Sequence, residues 1–298
     1  MVLGGCQLVF PLDGPSDKGG LPFDAGSDGS GDGELPLDLD KDGLPDVTDP
    51  CIQPSADLLV DFEADAKPNA TDPCPFVFDS NDTDLDGIPD NCDPFPMISG
   101  DRRRCTMAFE SPEINQQLWL SREGTPGWDL ANTALIGSKD AGPTTIASAV
   151  ELEHGVSTTY EVSATLAAEP ASMFAGLILR GSPQYDDTDI GCGIAMSSGT
   201  GTQLVLARGN SNPLQAVSFG GTIGGTFTLR IAATVEATGR VRCVAQLNGS
   251  IRLVEALIPD KTSGLFGFGT SGFQFTIDGL AIYERDDARL TATTKPTR

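Results

Sequence analysis

Two stretches of the chain place acidic side chains at the same offsets. They are Asp38-Leu39-Asp40-Lys41-Asp42-Gly43-Leu44-Pro45-Asp46-Val47-Thr48-Asp49 and Asp82-Thr83-Asp84-Leu85-Asp86-Gly87-Ile88-Pro89-Asp90-Asn91-Cys92-Asp93. In each stretch, aspartates occupy alternate positions and a glycine allows a sharp turn, so the carboxylates can gather around one point. Because Ca²⁺ takes about six to eight oxygen ligands, the pattern predicts a calcium site in each stretch. A solvated acidic linker is the alternative, but it would not repeat these offsets with glycine and proline in register.

Side-chain and backbone oxygens of both stretches are candidate ligands. The first site would use the side chains of Asp38, Asp40, Asp42, Asp46 and Asp49 and the carbonyl of Leu44, and the second would use Asp82, Asp84, Asp86, Asp90 and Asp93 and the carbonyl of Ile88. The flanks exclude an EF-hand. Pro45 and Pro89 lie inside the loops, and Pro50 and Pro94 follow them, so flanking helices cannot form.

The two loops also end near cysteines, Cys51 and Cys92. Helix-poor, aspartate-rich units of this kind resemble the thrombospondin type 3 repeat and its bacterial relatives. The resemblance rests on the five aspartates of each loop, on their glycines and on the two cysteines. It implies a chain wrapped around a row of calcium ions and pinned by disulfides. Asp72-Pro73-Cys74-Pro75 is similar to Asp49-Pro50-Cys51, so we expect the remnant of a third unit whose loop, residues 57–71, lacks the aspartate grid.

The acidic charge is concentrated in the first part of the chain. Of a formal net charge of −23, residues 1–106 carry −17, from 23 acidic and 6 basic side chains. This surplus repels itself, so we expect the segment 36–106 to be expanded without calcium and compact with it. Nucleic acid is disfavoured as a partner, because the one basic cluster, Arg102-Arg103-Arg104, is predicted to be a solvated junction.

Seven cysteines allow three disulfides and one remaining thiol. Fifteen pairings of six cysteines are possible. Proximity in the sequence suggests Cys51–Cys74 and Cys92–Cys105 within residues 36–106, and Cys192–Cys243 between neighbouring strands of one sheet. A zinc site is disfavoured, because the chain has no Cys-x-x-Cys pair and a single histidine.

The remaining cysteine, Cys6, follows Leu3-Gly4-Gly5, which resembles the end of a bacterial lipoprotein signal. Five residues precede it, so either the start lies upstream of Met1 or the match arises by chance; a free thiol in a cytosolic protein is the alternative. Disulfides and calcium loops favour an oxidising exterior. We therefore expect an exported protein, lipid-anchored through Cys6 at a bacterial outer membrane or cell surface, with no membrane contact besides the anchor.

From about residue 107 the sequence changes to short alternating or β-branched apolar runs separated by glycine, proline, serine and threonine. This pattern is typical of an all-β domain, and it predicts an antiparallel two-sheet sandwich. The predicted strands are 128–136, 144–152, 159–166, 173–179, 190–196, 204–208, 226–235, 241–247, 250–257 and 273–283, and a short helical turn is expected at 113–118.

Three places in this half resemble the concanavalin A-like jelly roll, the superfamily of laminin G-like domains, legume lectins and several glycan hydrolases. They are Ala108-Phe109-Glu110 followed by Gly127-Trp128-Asp129-Leu130; the segment 175–180; and the pair 264–270 and 275–283. The resemblance covers roughly residues 107–284. It implies a jelly-roll sandwich that can carry either a binding site or a hydrolase cleft.

The sequence predicts no catalytic residues. Hydrolases on this sandwich align two or three carboxylates on one strand, whereas Glu151-Leu152-Glu153 offers two without flanking aromatics. Trp119 and Tyr185 are candidate sugar-stacking side chains, because glycan recognition needs an exposed aromatic face. The acidic stretch Asp186-Asp187-Thr188-Asp189 is predicted to be a solvated loop, with cation binding as the alternative.

We therefore predict four parts: a lipoprotein N-terminus and acidic linker (1–35), calcium-binding repeats (36–106), a concanavalin A-like sandwich (107–284) and a polar tail (285–298). The predicted function is that of a non-enzymatic calcium-binding surface protein that presents a lectin-like sandwich to a glycan or a surface protein. A glycan hydrolase on the same sandwich and a spacer without a ligand are the alternatives.

Overall fold

A computed structural model of the chain describes residues 60–69, 71–109, 119–121, 128–131, 134–138, 144–152, 157–168, 173–181, 189–197, 199–209, 213–221, 225–259 and 264–285. The chain divides into the compact units Met1–Pro36 and Leu37–Arg298, and every described residue belongs to the second. The predicted calcium loop 38–49, the lipidation site Cys6 and the expected turn 113–118 lie outside the described residues. No helix among the described residues is long and apolar enough to cross a lipid bilayer.

The described strands form two antiparallel sheets. They are β1 (Asp101–Ala108), β2 (Trp119–Ser121), β3 (Trp128–Ala131), β4 (Ala134–Gly137), β5 (Thr144–Leu152), β6 (Ser157–Ala168), β7 (Met173–Gly181), β8 (Ile190–Ser197), β9 (Gly201–Arg208), β10 (Gln215–Ser218), β11 (Gly225–Val235), β12 (Arg240–Leu247), β13 (Ser250–Leu257), β14 (Gly264–Ser271) and β15 (Phe273–Arg285). The first sheet has the order β13-β12-β11-β6-β15-β4-β3, with β1 also paired to β15, and the second has the order β10-β9-β8-β7-β14-β5-β2. The predicted all-β two-sheet sandwich is confirmed.

The core lies between the inner faces of the two sheets. Strand β12 shows why the sequence folds this way: Val241, Cys243, Ala245 and Leu247 are buried, and the residues between them are not. This alternation is the period of a strand with one face on the core. Cys243 is bonded to Cys192, so the predicted disulfide is present, but it joins β12 of the first sheet to β8 of the second rather than neighbours in one sheet.

The last strand changes face at a bulge. The register of β15 shifts between Ile277 and Gly279, and a bulge reverses which side chains point inward. Beyond it, Leu280 and Ile282 belong to the main core, whereas Ala281 and Tyr283 are buried on the outer face of the sheet. That outer face is therefore covered, and the residues that cover it come from the acidic segment.

The acidic segment, defined here as residues 60–100, contains no strand or helix in its described residues. Its apolar residues form a small cluster against the sheet: Cys74, Ile88, Cys92, Phe76 and Val77 pack with Ala281 and Tyr283. Cys74 and Cys92 form a disulfide with a Cα–Cα distance of 5.5 Å. The predicted pairs Cys51–Cys74 and Cys92–Cys105 are therefore wrong, because successive loops fold back and bring Cys74 and Cys92 together; Cys105 is disulfide-bonded as well.

Close approach of the segment to the sheet requires a glycine. A Cβ placed at Gly279 would lie 2.6 Å from two ring atoms of Phe62 and 2.9 Å from Phe76. The two phenylalanine rings contact each other, with centroids 5.2 Å apart. A larger residue at position 279 would therefore hold the segment away from the sheet.

Polar side chains of the sheet bind backbone carbonyls of the segment. The Tyr283 hydroxyl donates to the carbonyl of Pro73 at 3.2 Å, and Arg230 donates to the carbonyl of Asn91 at 3.1 Å. Arg103 donates to the carbonyls of Asn69 and Asp72. The predicted solvated arginine junction is thus wrong for Arg103, which lies in β1 and contacts the segment.

Strand boundaries differ from the prediction in two informative places. The predicted strand 128–136 is two strands, β3 and β4, that pair with each other. Strand β1 crosses the boundary that the charge distribution suggests at residue 106, so the sandwich begins at Asp101, inside the acidic part of the sequence. The charge distribution did not predict this boundary, because β1 joins the sheet through backbone pairing with β15, which does not depend on the charge of its three arginines.

Candidate calcium-binding site

The loop of residues 82–93, called the 82–93 loop, is folded by its own aspartates. Asp82 accepts from the amides of Leu85 at 2.7 Å and Gly87 at 2.9 Å, and Asp86 accepts from the amide of Ile88 at 3.0 Å. Leu85 and Gly87 have left-handed backbone conformations, with φ of 63° and 99°. These turns bend the chain so that alternate carboxylates face one point.

The preceding loop of residues 61–72, called the 61–72 loop, has the same local structure at its described positions, 61–69 and 71–72, each 21 residues before its counterpart. Asp61 accepts from the amides of Asp65 and Ala66 at 3.2 and 2.9 Å. Asp65 accepts from the backbone amide of Lys67 at 2.7 Å. Ala64 and Ala66 have φ of 60° and 74°, as Leu85 and Gly87 do. The expectation that residues 57–71 lack the grid is therefore wrong.

The sequence pattern of the 61–72 loop was present, but three of its positions carry other residue types than the two predicted loops do. Glu63 stands where the other loops have aspartate, Ala66 where they have glycine, and Asn69 where they have aspartate. Pro68 keeps the register of Pro89. A search for acidic residues and prolines at fixed offsets, rather than for aspartate and glycine alone, would have found it.

Among the described residues, carboxylates of the acidic segment and of Asp101 in β1 converge in four groups of three. Within each group, one oxygen from every residue lies within 4.8 Å of the others: Asp61, Glu63 and Asp65; Asp65, Asp72 and Asp79; Asp82, Asp84 and Asp86; and Asp86, Asp93 and Asp101. Oxygens around one calcium ion are separated by at most about 4.8 Å, twice the Ca–O distance of about 2.4 Å. The spacing is therefore compatible with one ion in each group, and Asp65 and Asp86 each belong to two groups.

Several of these oxygens are buried without a hydrogen-bond donor. They are both Oε atoms of Glu63 and the Oδ2 atoms of Asp72, Asp84, Asp93 and Asp101. A buried carboxylate oxygen without a partner is costly. Burial and the neighbouring carboxylates raise the pKa of Asp101 to about 8, and burial with the neighbouring Asp72 carboxylate raises the pKa of Glu63 to about 8. The groups therefore need either protons or cations.

The predicted ligands of the 82–93 loop do not all belong to one carboxylate group. Asp82, Asp84 and Asp86 come together, whereas Asp93 joins Asp86 in the group that includes Asp101. Both Asp90 oxygens accept from Thr83, from its amide at 2.8 Å and its hydroxyl at 2.7 Å, so Asp90 closes the loop and lies in neither group. The side chain of Ile88 is buried in the small cluster beside the disulfide.

Asp101 was not among the predicted ligands. It is the first residue of β1 and 4% exposed, and its backbone amide donates to Asp86 Oδ2 at 2.8 Å. The sequence held a signal for it, because Asp101 follows Asp93 by eight residues and Asp57 follows Asp49 of the first predicted loop by the same number. It was missed because both residues lie outside the repeated loops, and the path of the chain into the sheet brings Asp101 to the group.

A separate groove lies on the outer face of the second sheet. Gln203, Val205 and Ala207 alternate along β9 with the core residues Leu204 and Leu206, so they face away from the core. The groove has a volume of about 330 Å³ and is lined by Phe174, Ala195, Met196, Ser197, Thr200, Gln203, Val205, Ala207 and Pro213. It is mainly apolar, and its lining includes the amide of Gln203 and the hydroxyls of Ser197 and Thr200.

The ring of Phe174 lies against the backbone of β8 in this groove. A Cβ at Gly193 would come within 2.7 Å of the ring, and one at Gly191 within 3.5 Å. The predicted stacking residues are Trp119 and Tyr185. Trp119 lies in β2, which is separated from β7 by β14 and β5 in the sheet, and Tyr185 lies outside the described residues. His154, Glu153 and the acidic residues 186 and 187 are also outside them.

No protein-family model matches the sequence, and no characterised protein is significantly similar to it. Solved structures with a similar arrangement include a seed lectin of Lotus tetragonolobus, at 11% identity and a TM-score of 0.41, over 55% of this chain and 91% of the lectin. Carbohydrate-binding module CBM66 from Bacillus subtilis is similar at 16% identity and a TM-score of 0.38, over 55% of this chain and 91% of the module. The GH43 protein BlXynB from Bacillus licheniformis is similar at 11% identity and a TM-score of 0.44, over 59% of this chain and 38% of that protein. At these identities the similarity concerns the arrangement of strands alone.

Proposed function

We propose that the acidic segment binds calcium and thereby braces a non-enzymatic β-sandwich that binds a glycan or a surface protein. The observation that carries the calcium proposal is the set of buried carboxylate oxygens that accept no hydrogen bond. Each lies in a group whose oxygens have the spacing of ligands around one ion. An all-oxygen, acidic ligand set favours Ca²⁺, a hard cation that tolerates irregular coordination, over zinc.

The sharing of Asp86 between two groups gives a sharp test. Asp84 belongs to one group and Asp86 to two, so Asp84→Asn should weaken one calcium site and Asp86→Asn should weaken two. Asp129, an exposed aspartate in β3, provides a matched control, and Asp129→Asn should bind as the wild type does. Isothermal titration with calcium measures the number of sites. Equal stoichiometry in all four proteins would contradict the proposal.

For the sandwich, we propose that the groove beside Phe174 is the binding surface. Support comes from its composition, since glycan recognition needs an aromatic or apolar floor with a few polar groups at the edge. Phe174 supplies an aromatic ring to the lining, and Gln203, Ser197 and Thr200 supply polar groups. Phe174→Ala and Gln203→Ala should each reduce binding on a glycan array, while Leu257→Ala, which alters an exposed side chain of another strand, should not. Undiminished binding by Phe174→Ala would exclude this groove.

The absence of enzymatic activity is also part of the proposal. Among the described residues that line the groove there is no carboxylate, and a retaining or inverting glycosidase uses two. The alternative hydrolase would have to use residues elsewhere on the sandwich. Incubation with soluble polysaccharides, followed by a reducing-sugar assay, should give no release of sugar, and release would favour the enzyme.

Two disulfides, Cys74–Cys92 and Cys192–Cys243, are consistent with an exported protein, because such bonds persist in oxidising compartments. We propose in addition that Cys6 carries a lipid anchor that holds the protein at a bacterial cell surface. Expression from an upstream start should give a protein that incorporates a fatty-acid analogue, and Cys6→Ser should release it in soluble form. Incorporation of the label into Cys6→Ser would contradict lipidation at this residue.

A further inference from the structure

The junction between the acidic segment and the sandwich contains a carboxylate group of mixed origin. Asp86 and Asp93 belong to the 82–93 loop, whereas Asp101 is the first residue of β1 in the sheet. One oxygen from each lies within 4.8 Å of the others. Asp101 is cross-strand neighbour to Arg285 in β15, so its position is fixed by the sheet and not by the loop.

The polar contacts of this group leave two buried oxygens free. The amide of Phe95 donates to Asp93 Oδ1 at 2.6 Å, and the amides of Gly100 and Asp101 donate to Asp86 Oδ2 at 3.0 and 2.8 Å. The Oδ2 atoms of Asp93 and Asp101 accept no hydrogen bond, although these residues are only 9% and 4% exposed. Buried carboxylate oxygens that accept no hydrogen bond are costly when the carboxylates are ionised, so this group needs either a proton or a cation.

The 61–72 loop provides an internal comparison. There the corresponding group is Asp65, Asp72 and Asp79, and all three residues belong to the acidic segment. Asp65 and Asp72 correspond to Asp86 and Asp93 by the 21-residue offset. Asp79 follows the 61–72 loop and lies within the acidic segment. It therefore completes its group as Asp101 of β1 does after the 82–93 loop.

We propose that Asp101 is a calcium ligand, so that one ion is held jointly by the 82–93 loop and by the first strand of the sandwich. This inference rests on the proposed calcium binding by the segment and adds the part played by the sheet. The ion neutralises carboxylates from both sides of the junction, and its binding free energy adds to the docking of the segment. Calcium removal then loosens the junction as well as the loop.

The central test compares Asp101→Asn with the control Asp129→Asn. In calcium titrations, Asp101→Asn should lose one site, or weaken it by about tenfold or more, since ligand charge sets calcium affinity. The remaining sites should be unchanged. Asp93→Asn should weaken the same site, and the double variant Asp93→Asn/Asp101→Asn should lose no further ion.

A second measurement separates ligation from a purely structural role. In chelator, Asp101→Asn should unfold at the same temperature as the wild type or higher, because the substitution removes a buried carboxyl group whose ionised form is disfavoured there. In calcium it should unfold at a lower temperature than the wild type. A structural role, such as pairing with Arg285, would lower the unfolding temperature equally in both conditions and would overturn the proposal.

The outcomes distinguish this inference from the proposed function on which it rests. A wild type that binds no calcium refutes both. A wild type that binds calcium, with an Asp101→Asn variant of identical stoichiometry and affinity, refutes the role of Asp101 alone. If Asp101→Asn does not fold, Asp93→Asn decides the matter: its loss of stability must then appear in calcium and not in chelator.

Discussion

The close approach at Gly279 makes the docking of the acidic segment open to a direct test. In Gly279→Ala, the added Cβ would lie 2.6 Å from Cε2 and Cζ of Phe62 and 2.9 Å from Cε1 of Phe76. Ordinary carbon–carbon contacts begin near about 3.5 Å, so the Phe62 ring must retreat by nearly 1 Å. It has little room to do so, because its other neighbour is the Phe76 ring.

Overpacking of this kind costs about 1–3 kcal/mol. We therefore expect Gly279→Ala to lower the free energy of unfolding by about 2 kcal/mol, or the unfolding temperature by about 4–8 °C. Gly191→Ala is the matched control, because a Cβ there would meet its nearest atom at 3.5 Å. Phe62→Leu should partly rescue Gly279→Ala, since the shorter side chain leaves space for the new methyl group.

Urea denaturation in calcium, followed by tryptophan fluorescence, measures the stability of the sandwich, and hydrogen exchange over residues 61–77 measures the docking of the segment. Exchange in that region should increase in Gly279→Ala and return towards the wild-type level in the double variant with Phe62→Leu. Unchanged stability and unchanged exchange in Gly279→Ala would refute the contact between Phe62 and the sheet. Additive effects of the two substitutions would show that the residues do not touch.

Three further predictions concern the segment itself. Replacing Cys74 and Cys92 together by serine should cost about 3 kcal/mol, from the sequence separation of 18 residues and the entropy of loop closure, and a non-reducing peptide map that fails to join these cysteines would contradict the pairing. Ala66→Gly should stabilise the calcium-bound protein by up to about 1 kcal/mol, because alanine is strained at a φ of 74°. Gly87→Ala should destabilise it for the same reason, and unfolding temperatures that both substitutions shift in the same direction would refute this reasoning. Calcium at a hundred times its dissociation constant should add about 2.7 kcal/mol per independent site, so an unfolding temperature that does not depend on calcium would contradict ion binding.

The sequence predicted the fold class because its second half obeys one simple rule. In strands such as β12, burial alternates residue by residue, and a period of two is visible without any knowledge of neighbours. Strand β1 was missed for the opposite reason. Its run of arginines is typical of a solvated surface, yet its backbone pairs with β15 over the whole length of the strand, and no local pattern shows such a long-range pairing.

The candidate site was predictable where it is local. The offsets of Asp82, Asp84 and Asp86 indicated a shared group, and the structure brings them together. Asp101 was missed because it lies beyond the loop, although Asp57 stands at the same offset after the first predicted loop. Its place in a group depends on how the chain enters the sheet. The disulfide Cys74–Cys92 was missed similarly: proximity in the sequence offered several pairings, and only the stacking of two consecutive loops selects this one.

The position of β15 has a consequence for the order in which the chain can fold. This strand pairs with β1, β4 and β6, and it supplies Ala281 and Tyr283 to the surface on which the acidic segment lies. During synthesis the segment leaves the ribosome long before residues 273–285 do, so it has no surface to dock on until nearly the whole described chain has been made. Pairings between residues so distant in the chain form slowly. The acidic segment, although it is made before the sandwich, therefore gains its packing contacts with the sheet only after the last strand has been made.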